Sequence, residues 1–206
     1  MISNSSRHAA PSIYPRVPRD PVVARSLIGL PGLPTIVAMG PFDDRPGAEE
    51  LAEAFTAVRR HCVAQLVLFG TGPQRTTAVR RAFAHGVGSD VHPLRNFPAG
   101  RWSDVLAAAD VVVPSTALGS MSLLDVLAAC RPVVAPIDPT TVQLVVPTSA
   151  GLVYRPGDVS GMAAALLRLL TAPALRHGMA CRAGEVARRH PLLMRLQQAT
   201  NESNYA

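Results

Sequence analysis

The stretch DVVVPSTALGSMSLLDVLAACRPVVAP, residues 110–136, decides the fold. Two short apolar runs, DVVVP (110–114) and PVVAP (132–136), flank a loop and a segment long enough for one helix. Valine-rich runs without polar alternation are how strands covered on both faces read. A strand, a helix and a second strand in that order make a crossover unit with parallel strands. The same grammar extends in both directions. TIVAM (Thr35 to Met39), QLVLF (Gln65 to Phe69) and a weaker run near Val91 lie upstream, and GLVYR (151–155) lies downstream. Within AEELAEAFTAVRRH, Leu51, Ala54, Phe55 and Val58 recur at the spacing of one buried helical stripe. Trp102 and Leu106 read as the core face of a helix ahead of Asp110. MAAALLRLL and 174–189 give two more helices, with Pro191 as a breaker before a C-terminal helix and tail over 191–206. The pattern predicts an α/β fold: a doubly wound, mainly parallel Rossmann-like sheet with helices on both faces. The domain is expected over 34–190, after a tail and linker over 1–33.

Composition narrows the function. The 206 residues are 48% hydrophobic, enough for one buried core. No apolar run reaches the roughly 18 residues needed to cross a bilayer. The polar start MISNSSRHAAPS lacks the apolar centre of a signal peptide, so a cytoplasmic protein is expected. Cys62, Cys130 and Cys181 form no CxxC pair and have no histidine at metal spacing; they read as small apolar core residues, and no metal is expected. The net charge of +6 comes from 20 basic residues, all arginine. They scatter singly or in pairs such as Arg59 with Arg60 and Arg188 with Arg189, and aromatics at 4% are too few for base-stacking platforms. No nucleic-acid partner is expected. The remaining charge suits a peripheral contact with an acidic membrane surface, or phosphate-bearing ligands.

A doubly wound sheet binds ligands at the carboxyl ends of its strands. Glycines stand there: Gly40 and Gly47 in MGPFDDRPG, Gly70 and Gly72 in FGTGPQ. They serve either a sharp turn or the close approach of a ligand, and helix N-termini beyond them offer unpaired N–H groups to phosphate. Neither GxGxxG nor GxxxxGKS occurs, so a classical dinucleotide site and a P-loop are not supported.

The order VAMGPF, DDRPGAEEL, LVLFGTGP, AAADVVVPS, LLDVLAACRPVVAP and GLVYRPGD, from about Ile13 to Arg189, resembles the C-terminal, donor-binding half of GT-B glycosyltransferases, most closely the retaining group numbered family 4. In that family a strand ends in Gly-Arg, a loop carries Lys-Gly, a strand precedes Gly-x-Gly-Pro and another precedes Pro-Ser. Two glutamates with seven residues between them and Gly-x-Pro-Val-Val follow. The resemblance implies transfer of a sugar from a nucleotide-diphosphate donor, which is a substrate, with no cofactor or metal. It places Gly119, Ser120 and Met121 at a helix N-terminus facing the diphosphate, where backbone N–H groups and the helix dipole stabilise the leaving group. Asp125 stands for the glutamate that holds the ribose hydroxyls, because one carboxylate accepts two charge-assisted hydrogen bonds; the alternative is an exposed helix face. Arg95, with Asn96 and Phe97, falls in the loop the family places at the nucleotide base.

The departures matter as much. The first glutamate, which contacts the donor sugar, corresponds to Ala117 or Leu118; the arginine after Gly40 is Pro41; the lysine before Gly47 is Pro46, with Arg45 beside it as a displaced substitute. Asp43, Asp44, Glu49 and Glu50 form an acidic cluster that repels a diphosphate. None of the six histidines has a carboxylate at a fixed spacing that marks a base. At most about 33 residues precede the first strand, too few for the family's acceptor domain. The expectation is therefore a truncated or divergent glycosyltransferase that binds a nucleotide sugar, is inactive alone, and pairs with a separate acceptor-binding domain or chain. The alternative is a non-catalytic interaction or regulatory module that keeps the fold.

Overall fold

The computed structural model describes residues 20–43, 45–94, 102–115 and 119–190, with the side chains of 45, 46 and 119–122 outside the description. All five residues of Thr35–Met39 (β1) are buried, as are those of Val111–Pro114 (β4) and Val133–Pro136 (β5), because helices cover both sheet faces. Gln65–Phe69 (β2), Val91–Leu94 (β3) and Gly151–Tyr154 (β6) complete one sheet in the order β3-β2-β1-β4-β5-β6. Every pairing is parallel. Met39 pairs with Phe69 on one side and Pro114 on the other, so the strands end level, and the chain reverses its winding between β1 and β4.

The helices are α1 (Pro21–Leu27), α2 (Arg45–Arg59), α3 (Arg75–Ala84), α4 (Trp102–Ala108), α5 (Gly119–Ala128), α6 (Pro139–Leu144), α7 (Val159–Thr171) and α8 (Pro173–Arg189). Successive strand residues point to opposite faces. Ile36, Ala38, Leu66 and Leu68 therefore meet Phe55 of α2 and Leu166 of α7, whereas Val37, Val67 and Val112 meet Leu106 of α4 and Leu124 of α5. The doubly wound architecture is as the sequence predicts.

Two details differ from the sequence reading, and one expectation lies outside the described residues. Helix α1 lies in the stretch read as tail and linker, and it packs against α4. Asp20 caps it by accepting from the Val22 N–H at 2.7 Å, and Pro21 opens it. Arg25, 4% exposed, donates through Nε to the Ala108 carbonyl at 2.9 Å and pairs with Asp110. Asp110 also accepts from the Thr35 N–H at 2.8 Å and lies 3.5 Å from Arg176 of α8, so one carboxylate ties α1, β1 and α8 together. The break between the last two described helices falls at Pro173, with a bend of 100°; Pro191 and the helix expected beyond it lie outside the described residues. Cys62 and Cys130 are half-buried, but Cys181 is exposed on α8, its sulfur 3.6 Å from His177 Nε2 one turn away, and is not a core residue. Among the described residues no single helix is long and apolar enough to cross a membrane.

Candidate functional site at the carboxyl ends of the strands

Parallel strands gather all their carboxyl ends on one edge, and the glycine loops meet there. The Gly40 N–H donates to the Phe69 carbonyl at 2.7 Å, Phe42 N–H to the Thr71 carbonyl at 2.8 Å, and Gln74 N–H to the Phe42 carbonyl at 2.9 Å. The loop after β1 is thus laced to the loop after β2. Gly70 (φ +132) and Gly72 (φ +130) permit this contact: a Cβ at Gly70 would stand 2.9 Å from Gly40 Cα, and one at Gly72 2.5 Å from the Phe42 backbone. The sequence left open a sharp turn or the close approach of a ligand for these glycines; at Gly70 and Gly72 it is the approach of one loop to the other that accounts for the conformation. Gly40 precedes a cis peptide to Pro41, and Phe42 is buried beneath the joint.

Arg75, which the sequence reading passed over, opens α3 on this edge. Its Nη1 donates to the Gly70 carbonyl at 2.7 Å and the Leu94 carbonyl at 3.3 Å, capping the ends of β2 and β3. No motif pointed to it, since its partners are backbone carbonyls brought together only by the fold. Gly47 lies in the first turn of α2. Arg45 begins that helix with its side chain outside the description, and Arg95 lies outside the described residues.

Gly119 and Ser120 open α5 directly beyond β4, and Met121 follows in the first turn. The ten-residue helix therefore aims its N-terminus at the edge where β1 and β4 diverge. Asp125 stands lower on α5, between the fully buried Leu124 and Val126. It is half-buried, and its Oδ1 is sealed from solvent with no hydrogen-bond partner. Burial raises its pKa from 3.8 to about 6. The exposed-face alternative for Asp125 does not hold.

A cavity of about 290 Å³ opens at the same edge among β1, β4, β5 and β6. Met39, Pro41, Phe42 and Tyr154 are among its walls, with Ser115 from the start of the loop toward α5 and Glu50 from α2. Gly40 and Gly70 are therefore in contact and Gly119 leads from the adjacent strand, while Asp125 does not line this cavity.

The profile of the glycosyl transferases group 1 family matches residues 33–172. The chain belongs to that family. Among solved structures, WaaG, a glycosyltransferase involved in lipopolysaccharide biosynthesis, is 25% identical with a TM-score of 0.74, over 92% of this chain and 54% of WaaG. The C-terminal domain of LpcC, a glycosyl transferase group 1 family protein of Francisella tularensis, is 17% identical with a TM-score of 0.74, over 85% of this chain and 94% of that domain. HepE of Anabaena, solved with UDP and glucose, is 18% identical with a TM-score of 0.74, over 94% of this chain and 54% of HepE. This group 1 chain thus spans about half the length of WaaG and of HepE, and its fold is that of GT-B glycosyltransferases. Among curated protein sequences none matches it.

Proposed function

We propose that the chain is the donor-binding half of a metal-independent glycosyltransferase and takes a nucleotide-diphosphate sugar at the carboxyl edge of its sheet. Asp125 carries the reading: a half-buried carboxylate whose sealed Oδ1 lacks a partner is costly to keep, and the vicinal hydroxyls of a ribose would supply donors to the oxygen that is not sealed. The α5 N-terminus, through the backbone of Gly119, Ser120 and Met121, holds the diphosphate. The loops of Gly40, Gly70 and Gly72 form the floor, and the family resemblance assigns Arg45, at the start of α2, to the diphosphate and Arg95 to the base. Membership of the family and the UDP bound by HepE support this assignment. With Pro41 and Pro46 in place of two cations and no acid at 117 or 118, sugar transfer needs a separate acceptor-binding domain and is weak or absent in this chain alone.

A non-catalytic interaction module is the second reading. It is favoured by the self-laced loops and by Ile137, Val142 and Val146, exposed on and around α6 beyond β5. Thermal shift and calorimetry with uridine, guanosine and adenosine diphosphate sugars separate the two. A ligand at 100 times its dissociation constant stabilises by ~2.7 kcal/mol; no response to any of the three supports the module.

A further inference from the structure

Two polar groups line the 290 Å³ cavity with their hydrogen-bonding capacity unused. Among the described residues, neither the Glu50 carboxylate on α2 nor the Tyr154 hydroxyl at the end of β6 makes a hydrogen bond or ion pair. Burial, and then the neighbouring Glu50 charge, raise the Tyr154 pKa, so the phenol stays protonated and able to donate. The rest of the wall is largely apolar: Phe42, Met162 and four prolines, Pro41, Pro114, Pro136 and Pro156.

This chemistry selects its occupant. Among the described residues of the lining Glu50 is the charged one, and its carboxylate repels a phosphate. A carboxylate beside a phenol matches a pair of hydroxyls, and flat apolar walls match the C–H face of a ring. The volume is at the bottom of the ~300–1,000 Å³ range of ligand pockets, which suits a single ring and is too small for a whole nucleotide sugar. Ser115, which follows β4 on the way to α5, is in the cavity's wall, on the same sheet edge as the α5 N-terminus.

We propose that Glu50 and Tyr154 recognise the neutral sugar ring of the donor, Glu50 supplying from α2 the carboxylate that the family resemblance expects at 117 or 118 and does not find. The assignment rests on the nucleotide-sugar reading for the identity of the donor, but the cavity binds the ring on its own chemistry.

The test uses the full chain, wild type and as E50Q, Y154F and D125N, with free glucose, galactose, mannose and N-acetylglucosamine, with UDP and GDP, and with their sugar conjugates. Saturation-transfer NMR is expected to detect at least one free sugar on the wild type, with the Met39 and Met162 methyl signals moving; that second readout needs no variant. E50Q and Y154F are expected to weaken this sugar by ~10-fold each, a change typical of losing one charge-assisted hydrogen bond, while leaving UDP and GDP affinity unchanged. Inorganic pyrophosphate is expected not to displace the sugar. The proposal is overturned if no sugar or conjugate moves the methionine signals, if both variants bind sugar as the wild type does, or if pyrophosphate competes. Sugar binding that depends on Glu50 in a chain indifferent to UDP and GDP would sustain the sugar site and sink the nucleotide reading. UDP or GDP binding whose gain from an attached sugar survives both substitutions would do the reverse.

Discussion

Asp125 puts a carboxyl where water reaches it poorly, and its raised pKa, about 6, measures the strain. The folded chain holds this proton more tightly than the unfolded chain, whose value is near 3.8. Folding therefore takes up protons between about pH 4 and pH 6; stability falls as pH rises through that window and stays lower above it. Asp125→Asn keeps the shape and removes the charge. We expect it to leave the melting temperature unchanged near pH 4 and to raise it at pH 8 by ~2–4 °C, for roughly 1 kcal/mol after allowing for partial solvent screening. Scanning calorimetry at the two pH values checks this, and equal melting temperatures at pH 8 would mean the buried oxygen is solvated. The charged form is also the one that accepts from ribose hydroxyls, so nucleoside diphosphate affinity should strengthen from pH 5 to pH 7 in the wild type and stay weak and flat in Asp125→Asn. The place of this acid was implied by the family resemblance, but its burial was not, because that depends on what packs around α5. Gly72 makes the same point about the backbone. Gly72→Ala adds a Cβ at φ +130 within 2.5 Å of Phe42 and should cost ~1–3 kcal/mol in urea unfolding, whereas Gly32→Ala, in open space at ordinary φ, should cost nothing.

Elements whose burial follows their own periodicity were legible, and those held by tertiary contacts were not. Helix α2 shows its stripe in Leu51, Ala54, Phe55 and Val58, and all four are buried. Strands β1 and β4 read as continuous apolar runs for the same reason. Helix α1 inverts the rule: Val22, Val23 and Leu27 are about half exposed while Arg25 is buried, so no pattern announces it. Helix α6 is six residues long and starts from an Asp138 cap whose partner is Thr141 instead of the usual glutamate or glutamine, a signal too faint against the surrounding loop. The contact that fixes α1 is testable. Arg25→Ala leaves Asp110 facing a buried gap with the Ala108 carbonyl also unpaired, and breaking a buried pair from one side costs ~3–5 kcal/mol. Denaturant midpoints should fall accordingly, with amide exchange at Thr35 accelerating because Asp110 loses the clamp that holds it on that N–H. An unfolding free energy within about 0.5 kcal/mol of wild type, the size of an ordinary surface change, would show that α1 is dispensable.

At the scale of the molecule, the winding of the chain decides what the site can do. Level parallel strands bring the loops after β1 and β2, the α5 N-terminus and the Glu50–Tyr154 cavity to one edge; the meeting of the glycine loops there was legible from the repeated strand–helix–strand units, the cavity was not. The lacing of the loops was not legible, since Gly70 and Gly72 look alike in sequence whether they meet a ligand or another backbone. Each transition-state contact missing from such a site lowers rate by ~10² to 10³, and two cations and one acid are absent from the places where the family resemblance expects them. Assayed alone with its best-bound nucleotide sugar, the 206-residue chain is therefore expected to release no nucleotide above the uncatalysed background, even where the proposed donor binding is detected. Chelation with EDTA should leave that binding unchanged, because the contacts assigned to the donor are backbone N–H groups, a carboxylate and arginine. Mixing with an acceptor-type α/β domain should then raise nucleotide release. Turnover by the chain alone, followed by coupled detection of the released diphosphate, would place the missing charge within these residues after all.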